Sequence, residues 1–209
     1  FSIGGDGTLL QSALLVGSAG IPVLGINTGR LGFLSGVSQE NIPQAVKNIF
    51  EKNYSVEQRT LVSFNNGQEF FGENNFALNE ITVMKKDTSS MINIHVYVDG
   101  EFVNSYWADG LIIATSTGST GYSLSCGGPI LSPGCGNFVI TPIAPHNLTV
   151  RPFVISNKSQ IKLKIESRSD NFLATLDSRS VTIPCSFELQ ISRSVFTLGL
   201  VRFPGENFI

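Results

Sequence analysis

Two aspartates border glycine-rich stretches of the sequence that are otherwise uncharged. Asp6 lies in the run Gly-Gly-Asp-Gly-Thr at residues 4–8, and no Asp, Glu, Lys or Arg follows it before Arg30. Asp109 starts a second stretch, in which the next such residue is Arg151. Glycine lets backbone N–H groups approach an oxyanion, and the N-terminus of a following helix adds positive potential. A carboxylate in this setting is typical of a site for phosphate or ribose.

A simpler interpretation of both aspartates stays open. Asp6 could cap a helix that starts near Thr8, since aspartate is a favoured capping residue. Asp109 could only make a turn with Gly110, which is a common turn pair.

The known phosphate loops do not fit these stretches. The chain has no Gly-Lys dipeptide, which a Walker A loop requires. A dinucleotide fingerprint needs a third glycine where Thr8-Leu9-Leu10 stands. In the run Gly-Ser-Thr-Gly at residues 118–121, the serine lies one position too early for a hydrolase elbow.

The elements around Asp6 predict an α/β domain over residues 1–55. Apolar residues at helical spacing predict a helix over 9–16, which Gly17 and Gly20 end. Three segments then follow in the order strand, glycine-rich loop and amphipathic helix: residues 22–26, 27–36 and 42–50. Alternation of strands and helices indicates an α/β fold.

The rest of the chain, residues 56–209, predicts a mostly β domain that resembles a β-sandwich, and its last residues could return to the first domain. Asp99-Gly100 predicts a hairpin turn. The predicted strands lie over residues 77–84, 92–98, 102–107, 161–165, 172–176, 187–191 and 195–201.

Composition excludes several classes of function. The chain has 209 residues, a formal net charge of −2 and 14% charged residues. With a pI near 5.7 it lacks the basic surface of a protein that binds nucleic acid or an anionic membrane, so we expect neither partner. Polar residues, glycine and proline interrupt the apolar stretch 9–26, which excludes a spanning helix or a signal peptide.

Cysteine and histidine usage indicates the compartment. Cys126, Cys135 and Cys185 are an odd number at spacings that fit no metal or redox motif. They predict buried thiols in a reducing cytosol. Because the sequence has only two histidines, we assign no metal ligand to the protein.

Several motifs together resemble one enzyme family. The Gly-Gly-Asp-Gly-Thr run at residues 4–8 resembles the phosphate loop shared by NAD kinases, diacylglycerol-type lipid kinases and, more distantly, phosphofructokinases. Further segments resemble NAD kinases in order and spacing: residues 27–34, Asn79-Glu80, residues 109–125, residues 127–129, residues 142–146 and Arg151-Pro152. Members of the family carry a strand-rich stretch before the glycine turn, so we expect an N-terminal truncation and only part of a Rossmann-like domain.

The resemblance implies a phosphoryl transfer. NAD kinases move the γ-phosphoryl group of ATP, or of polyphosphate in some members, to the adenosine ribose 2′-hydroxyl of NAD and give NADP. Asp6 would contact the attacking hydroxyl as general base, and a loose transition state needs proton removal only late. Gly4, Gly5 and Gly7 would donate backbone N–H groups to the phosphates, whose charge Mg²⁺ neutralises.

The resemblance also implies the contacts with NAD. Asn79 and Glu80 would hold the ribose and neighbouring polar groups, with a strand-end turn as the alternative for this pair. Asp109 would meet the nicotinamide end, and Ala144 would lie near the ligand across a subunit contact. Uncharged hydroxyls and an aromatic ring over 120–125 suit the neutral adenine. The other implied NAD contacts are Asp6, Gly7, Thr120, Gly121, Tyr122, Ser123, Leu124 and Ser125.

Three positions depart from the family pattern. Trp107 stands where many bacterial relatives have a basic side chain, which puts a phosphate or ribose contact there in doubt. Residues 176–179 read Leu-Asp-Ser-Arg in place of Asp-Gly and a polar amide. Arg179 could therefore touch the ligand or distinguish NAD from NADP. Gly121 replaces the commoner Ala.

Two alternative functions stay open at this stage. A diacylglycerol-type lipid kinase shares the glycine loop and a β-rich second domain, but Asn79-Glu80 and the Asp109 segment argue against it. A nucleotide-binding regulator without turnover is the second alternative, which an intact Asp6 opposes. Analogy with the family implies a homodimer or homotetramer.

Overall fold

The computed structural model describes residues 1–29, 32, 34, 36–86, 90–147 and 149–205. The chain divides into two compact units. One comprises Phe1–Arg59 and the chain from Phe196 onward, and the other comprises Thr60–Val195. Two strands, Ser55–Phe64 and Leu189–Arg202, begin in one unit and end in the other.

The first unit contains a small parallel sheet and two helices. Strands β1 (Ser2–Ile3), β2 (Gly25–Asn27) and β3 (Val37–Ser38) lie in that order, and the helices are α1 (Asp6–Val16) and α2 (Ile42–Phe50). Helix α1 connects β1 to β2, which is the crossover that a parallel pair requires. The predicted α/β fold of this part is confirmed.

Aliphatic side chains fill the core of the first unit. The observed strand β2 starts later than the predicted strand 22–26, because Val23 forms only an isolated bridge with Leu200. Ile49 of α2 packs against the buried cluster, as its place on the amphipathic face of the helix predicts. The cluster consists of Leu24, Ile26, Val37 and Ala45.

The second unit contains two six-stranded sheets. The strands are β4 (Ser55–Phe64), β5 (Phe76–Ala77), β6 (Glu80–Lys85), β7 (Ile92–Val98), β8 (Glu101–Ala108), β9 (Gly110–Ala114), β10 (Asn137–Ile143), β11 (Phe153–Ser156), β12 (Ile161–Glu166), β13 (Asn171–Leu176), β14 (Arg179–Pro184) and β15 (Leu189–Arg202). One sheet has the order β11-β10-β9-β6-β13-β14, and the other has the order β5-β4-β15-β12-β7-β8. The short helices are α3 (Gln68–Phe71) and α4 (Tyr122–Ser125).

One hydrophobic core joins these two sheets. Ile81, Leu111 and Phe172 of the first sheet belong to the same buried cluster as Ile94 and Leu163 of the second. The sheets therefore stack face to face, as in a sandwich. The neighbouring strands β6, β9 and β10 pair antiparallel, and the mostly β fold predicted for this part is confirmed.

Strand β9 is buried on both of its faces. Leu111 and Ile113 belong to the core between the sheets, whereas Ile112 and Ala114 belong to a second buried cluster. A strand that is covered on both faces has a continuous apolar sequence. Burial of β9 thus explains why residues 110–114, the first part of the uncharged stretch that follows Asp109, are apolar.

One predicted strand is divided in the structure. The predicted strand 77–84 forms β5 and β6, and Leu78 and Asn79 make a turn between them. The backbone N–H groups of this turn donate to the Asp177 carboxylate instead of to a neighbouring strand. Asp177 is distant in sequence, so the local pattern around 78 did not reveal the break.

Two other predicted strands are continuous. The segments 187–191 and 195–201 belong to the single strand β15. Ser192 is buried, and its hydroxyl donates to Asn65 Oδ1 at 3.0 Å, so this polar residue does not interrupt the strand.

The predicted hairpin at Asp99 and Gly100 is confirmed. Both residues have positive φ angles, of 53° and 88°, and connect β7 to β8. This combination is typical of the tight turns that match the twist of antiparallel strands.

The prediction of buried thiols is wrong. Cys126, Cys135 and Cys185 are free, but the first and third are half-buried and Cys135 is exposed. Cys135 lies in a turn outside the sheets, where no strand covers it. Within the described part of the chain, no helix has the length and apolar character needed to cross a membrane.

Candidate active site

The glycine loop of the first unit leads from β1 directly into α1. Gly4 has a φ of 151°, and a Cβ added there would lie 2.3 Å from Thr8 Oγ1, so only glycine fits. Gly5 is the N-cap of α1, and an added Cβ at Gly5 or Gly7 would meet no heavy atom within 4 Å. Gly5 and Gly7 are also exposed, so an anion can approach the start of α1, whereas the N–H of the third predicted donor, Gly4, already donates to the Ile26 carbonyl oxygen at 2.9 Å.

Asp6 is the first residue of α1, and the interpretation of Asp6 as a cap near Thr8 is wrong because Gly5 is the capping residue. The backbone N–H of Leu34 donates to Asp6 Oδ1 at 3.2 Å. A Cβ added at Gly32 would lie 2.3 Å from the same oxygen. The second glycine-rich loop thus packs against the Asp6 carboxylate and orients it.

The predicted loop segment 27–34 is described only in part, because Arg30, Leu31 and Phe33 lie outside the described residues. Within the described part, the backbone N–H of Gly29 donates to Asn27 Oδ1 at 2.8 Å. This bond closes a local turn at the end of β2, which starts the loop.

Asn79 and Glu80 of the second unit lie where the turn after β5 meets β6. The N–H groups of Asn79 and Glu80 donate to Asp177 Oδ1 at 2.8 and 3.2 Å. The N–H of Leu78 donates to Asp177 Oδ2 at 2.9 Å. One carboxylate thus fixes the backbone of the pair and leaves both side chains of the pair for other contacts.

The Glu80 carboxyl group is unusual in its electrostatics. Burial first, and the negative charge of Asp177 second, raise the pKa of Glu80 to about 8. Burial also raises the pKa of Asp177, but three backbone N–H groups and Arg179 oppose that shift. Asp177 has the partners that stabilise a negative charge, so Glu80 is the group that holds a proton at neutral pH. Glu80 Oε2 is buried and has no hydrogen-bond partner among the described residues.

The loop after β9 packs on the same turn. The N–H of Thr115 donates to the Asn79 carbonyl oxygen at 2.8 Å, and the Thr115 hydroxyl donates to the Leu78 carbonyl oxygen at 2.6 Å. A Cβ added at Gly118 would lie 2.2 Å from the Asn79 oxygen, and one added at Gly121 would lie 3.8 Å from Glu80 Oε2. The structure therefore brings the predicted contacts Asn79, Glu80 and Gly121 together.

The side chains of residues 120–125 differ in what they can reach. Tyr122 and Leu124 are each 39% exposed, whereas Ser123 is fully buried. The Ser123 hydroxyl lies 2.8 Å from the Thr141 hydroxyl, so it holds the loop to β10. Thr120 is half-buried and donates to the Thr117 carbonyl oxygen at 3.2 Å, and Ser125 is exposed.

Asp109 and Ala144 form a second group of predicted contacts. The N–H of Asp109 donates to the Ile143 carbonyl oxygen at 3.0 Å, which places Asp109 beside exposed Ala144. Lys85 Nζ lies 2.6 Å from Asp109 Oδ1, so a salt bridge orients the carboxylate. Asp109 also contributes to the raised pKa of Tyr122, after burial and Cys126, and so lies within electrostatic reach of that ring.

Trp107 and Arg179 occupy different settings. Trp107 is 54% exposed, and its ring centroid lies 4.5 Å from that of His146. The Arg179 guanidinium donates to the carbonyl oxygens of Asn74 and Phe76. The terminal nitrogens Nη1 and Nη2 of Arg179 therefore point at the protein backbone, whereas its buried Nε has no hydrogen-bond partner in the described structure.

Sequence reasoning missed three residues of this region. Asp177 and Lys85 contact residues that are distant in the sequence, and Thr117 lies inside the loop after β9. Asp177 and Lys85 were not assigned a role, although they orient Glu80 and Asp109. Thr117 is 6% exposed, and its hydroxyl has no partner in the described structure. A buried hydroxyl without a partner is a candidate ligand contact, and no sequence signal distinguished Thr117 from its neighbours.

The family assignment follows from two sequence matches that together cover most of the chain. The ATP-NAD kinase N-terminal domain matches residues 2–54, and the ATP-NAD kinase C-terminal domain matches residues 78–203. The chain belongs to the NAD kinase family. The first match contains Asp6, and the second contains Asn79, Glu80 and Asp109.

Relatives with the name NAD kinase match along the whole chain. That of Flavobacterium psychrophilum is 52% identical over 100% of this chain and 71% of its own length. That of Cytophaga hutchinsonii is 49% identical over 99% of this chain and 71% of its own length. Family membership makes the chain a phosphotransferase and replaces the diacylglycerol-type alternative.

Solved structures of NAD kinases share the fold. An NAD kinase from Archaeoglobus fulgidus in complex with ATP superimposes with a TM-score of 0.85, at 34% identity, over 97% of this chain and 76% of that chain. Yeast NADH kinase complexed with NADH gives a TM-score of 0.84 at 28% identity, over 99% of this chain and 61% of that chain.

Proposed function

We propose that this chain transfers the γ-phosphoryl group of ATP to the adenosine ribose 2′-hydroxyl of NAD and so forms NADP. The observation that carries the proposal is the match to both NAD kinase domains across the chain. The geometry supports it, since Asp6 starts a helix whose first N–H groups are open to an anion.

Asp6 is the general base in this proposal. Its carboxylate is held by the N–H of Leu34 at 3.2 Å, so it is oriented before the substrate binds. The 2′-hydroxyl attacks phosphorus, its proton passes to Asp6, and the bond between the γ-phosphorus and the bridging oxygen of ADP breaks. The N–H groups at Gly5 and Gly7 stabilise charge on the phosphates.

Mg²⁺ is proposed to arrive with ATP. This ion prefers oxygen ligands and is usually held by substrate phosphates, water and one or two carboxylates. Across the residues described above, no group of three or more His, Cys, Asp or Glu side chains could hold a metal. Asp6 supplies a single carboxylate beside the loop, which fits an ion carried by the nucleotide. When bound, it would neutralise charge on the phosphates.

NAD is proposed to bind to the second unit through its sugars and bases. A protonated Glu80 can both donate and accept a hydrogen bond, which suits a ribose hydroxyl. In the described part of the chain, buried Glu80 Oε2 and Thr117 Oγ1 lack hydrogen-bond partners, and a ligand would satisfy them. Asp109 is proposed to accept from the nicotinamide carboxamide, with Ala144 beside it.

Assembly and compartment complete the proposal. We expect a homodimer or homotetramer, in which Ala144 lies near a ligand across the subunit contact. Three free cysteines fit a reducing cytosol. Light scattering after size-exclusion chromatography measures the assembly, and a monomer at micromolar concentration would contradict this part.

The central test is a direct assay of the purified full-length protein. The protein is incubated with NAD, ATP and Mg²⁺, and NADP is measured with an NADP-specific dehydrogenase. We expect NADP to accumulate in proportion to enzyme, with polyphosphate as a second donor to be compared. If neither donor gives NADP, the proposal is wrong, and NAD binding without turnover would favour the non-catalytic regulator.

A further inference from the structure

Two charged residues, Asp177 in the turn between β13 and β14 and Arg179 at the start of β14, contact the segment that leads into β6. Leu176 pairs with Arg179, so Asp177 and Ser178 form the two-residue turn. Asp177 has a positive φ of 49°, a conformation that aspartate tolerates better than most residues. We call Asp177 and Arg179 the clasp.

The clasp binds backbone donors and acceptors of one short segment. Asp177 accepts the N–H groups of Leu78, Asn79 and Glu80 at 2.8 to 3.2 Å. Arg179 donates to the carbonyl oxygens of Asn74 and Phe76 and lies 5.9 Å from the ring centroid of Phe71. Both charged groups are thus used on the backbone that leads into the Asn79-Glu80 pair.

Holding this segment with charged, partly buried side chains costs desolvation free energy. Burial lowers the pKa of the Arg179 guanidinium, and the negative charge of Asp177 partly opposes that shift. Taking a charged group out of water costs free energy unless hydrogen bonds replace its hydration. What the clasp adds is a unique backbone geometry over residues 74–80, because each bond has a fixed direction.

That geometry is the one on which the NAD contacts depend. The loop after β9 holds the same turn from its other side, through Thr115 and the close approach of Gly118 to Asn79. The clasp and this loop bind the backbone of the pair, and Glu80 Oε2 has no hydrogen-bond partner where the structure is described.

We propose that Asp177 and Arg179 are positioning residues that hold Asn79 and Glu80 in the geometry that binds NAD, and that Arg179 serves this role in place of a contact with the dinucleotide. The proposal rests on the function proposed above. It assigns a role to the charged side chain at the position where the family more often has an amide.

The test uses Asp177→Asn and Arg179→Lys with separate kinetics for NAD and for ATP. Asparagine replaces one carboxylate oxygen of Asp177 by an amide group that cannot accept a hydrogen bond. Lysine keeps the positive charge of Arg179 but lacks the planar guanidinium that donates to two carbonyl oxygens. We expect KM for NAD to rise about tenfold to a hundredfold. We expect kcat at saturating NAD and KM for ATP to change less than about threefold, because the first unit is untouched.

Matched controls lie at the other end of β13. Asp170 has a positive φ of 55°, like Asp177, and both Asp170 and Arg168 are exposed. Asp170→Asn and Arg168→Lys should leave both KM values unchanged. If these controls reproduce the effect of the clasp variants, the effect is a general loss of structure and the proposal is wrong.

A double-mutant cycle separates positioning from contact. Because Asp177 acts through the pair, Asp177→Asn should weaken NAD binding much less in a Glu80→Ala background, which lacks the side chain that Asp177 positions, than in the unmodified chain. The same holds for Arg179→Lys. Independent, multiplicative losses would show a direct ligand contact and overturn the assignment of Arg179.

Binding and stability readouts complete the test. Calorimetric titration with NAD alone measures affinity without turnover, and the unfolding midpoint is recorded for each variant. If Asp177→Asn does not fold, Arg179→Lys and its cycle decide the question. A uniform fall in kcat and in both affinities would refute the proposal. Failure of the proposed function is seen separately, as absence of NADP formation by the unmodified chain.

Discussion

The glycine loop at α1 and the turn at Asn79-Glu80 prepare for a ligand by opposite means. At the loop, Gly5 and Gly7 are exposed, and an added Cβ at either position meets no atom within 4 Å, so the start of α1 is accessible to an anion. At the turn, Asp177 and Thr115 bind the backbone, Gly118 lies close to it, and Glu80 Oε2 has no hydrogen-bond partner among the described residues. We propose that the main chain recognises phosphate in the first region and that side chains recognise sugar and base in the second.

The largest expected effect tests whether the open loop also carries the chemistry. Asp6→Asn keeps the shape of the side chain but cannot accept the proton of the attacking hydroxyl. We expect kcat to fall about a hundredfold to ten-thousandfold, with the NAD dissociation constant within about threefold. Initial rates and calorimetric titration measure these two quantities.

Exposed Asp170 provides the control for this substitution, and Asp170→Asn should leave kcat unchanged. Full activity of Asp6→Asn would mean that Asp6 has only a structural role at the start of α1.

A second, intermediate effect compares the glycines of the two regions. A Cβ at Gly118 would lie 2.2 Å from the Asn79 oxygen, so Gly118→Ala should raise KM for NAD at least tenfold. It should also lower the free energy of unfolding by about 1–3 kcal/mol, the usual cost of overpacking. Steady-state kinetics and denaturant unfolding measure both.

Glycine-to-alanine substitutions at two other positions serve as matched comparisons for Gly118→Ala. Gly121→Ala should change KM for NAD by less than about threefold, because the nearest atom to the new Cβ is the Gly118 carbonyl oxygen at 3.4 Å. Gly7→Ala should leave the free energy of unfolding unchanged or raise it by up to about 1 kcal/mol, since alanine favours helix. If all three substitutions lowered the free energy of unfolding equally, the distinction between an accessible backbone at the loop and a closely packed backbone at the turn would be wrong.

The last comparison concerns pH, for which the expected change in KM for NAD is the smallest. Glu80 has a pKa of about 8 in the folded chain against 4.5 as the ordinary value, so the folded state holds more protons between these values. The free energy of unfolding should therefore fall as pH rises from about 4.5 to about 8, by up to about 1.4 kcal/mol per pH unit. KM for NAD should rise severalfold above pH 8, where Glu80 becomes a second negative charge beside Asp177.

Glu80→Gln mimics the neutral acid and isolates this effect. The variant should bind NAD at pH 7 within about threefold of the unmodified chain and lose the alkaline rise in KM. Denaturant unfolding from pH 5 to 9 checks the stability slope. An unchanged pH profile in Glu80→Gln would mean that another group titrates.

Local sequence patterns predicted the elements that local chemistry determines. The hairpin at Asp99-Gly100 and the helix α2 are examples, because turn residues and apolar spacing decide them. The uncharged stretch after Asp109 predicted a ligand site, with a simple turn at Asp109-Gly110 as the alternative. Its first residues instead form strand β9, which is buried on both faces, and composition cannot distinguish such a strand from a neutral site.

The rest depends on partners that are distant in the chain. The break at Leu78 and Asn79 comes from Asp177, which is 99 residues from Leu78. The orientation of Asp109 comes from a salt bridge with Lys85 of β6, the strand that pairs with β9. The site residues implied by the family motifs stay predictions, although the structure gathers Asn79, Glu80 and Gly121 at one turn.

Strand β6 begins at Glu80 and ends at Lys85, the salt-bridge partner of Asp109. Five residue steps of an extended strand span about 17 Å, so the separation between the two groups of proposed NAD contacts is set by backbone geometry. Loop variation cannot tune this distance. An insertion within β6 would shift its pairing with β9, turn the following side chains to the opposite face and change which dinucleotide length the second unit can accept.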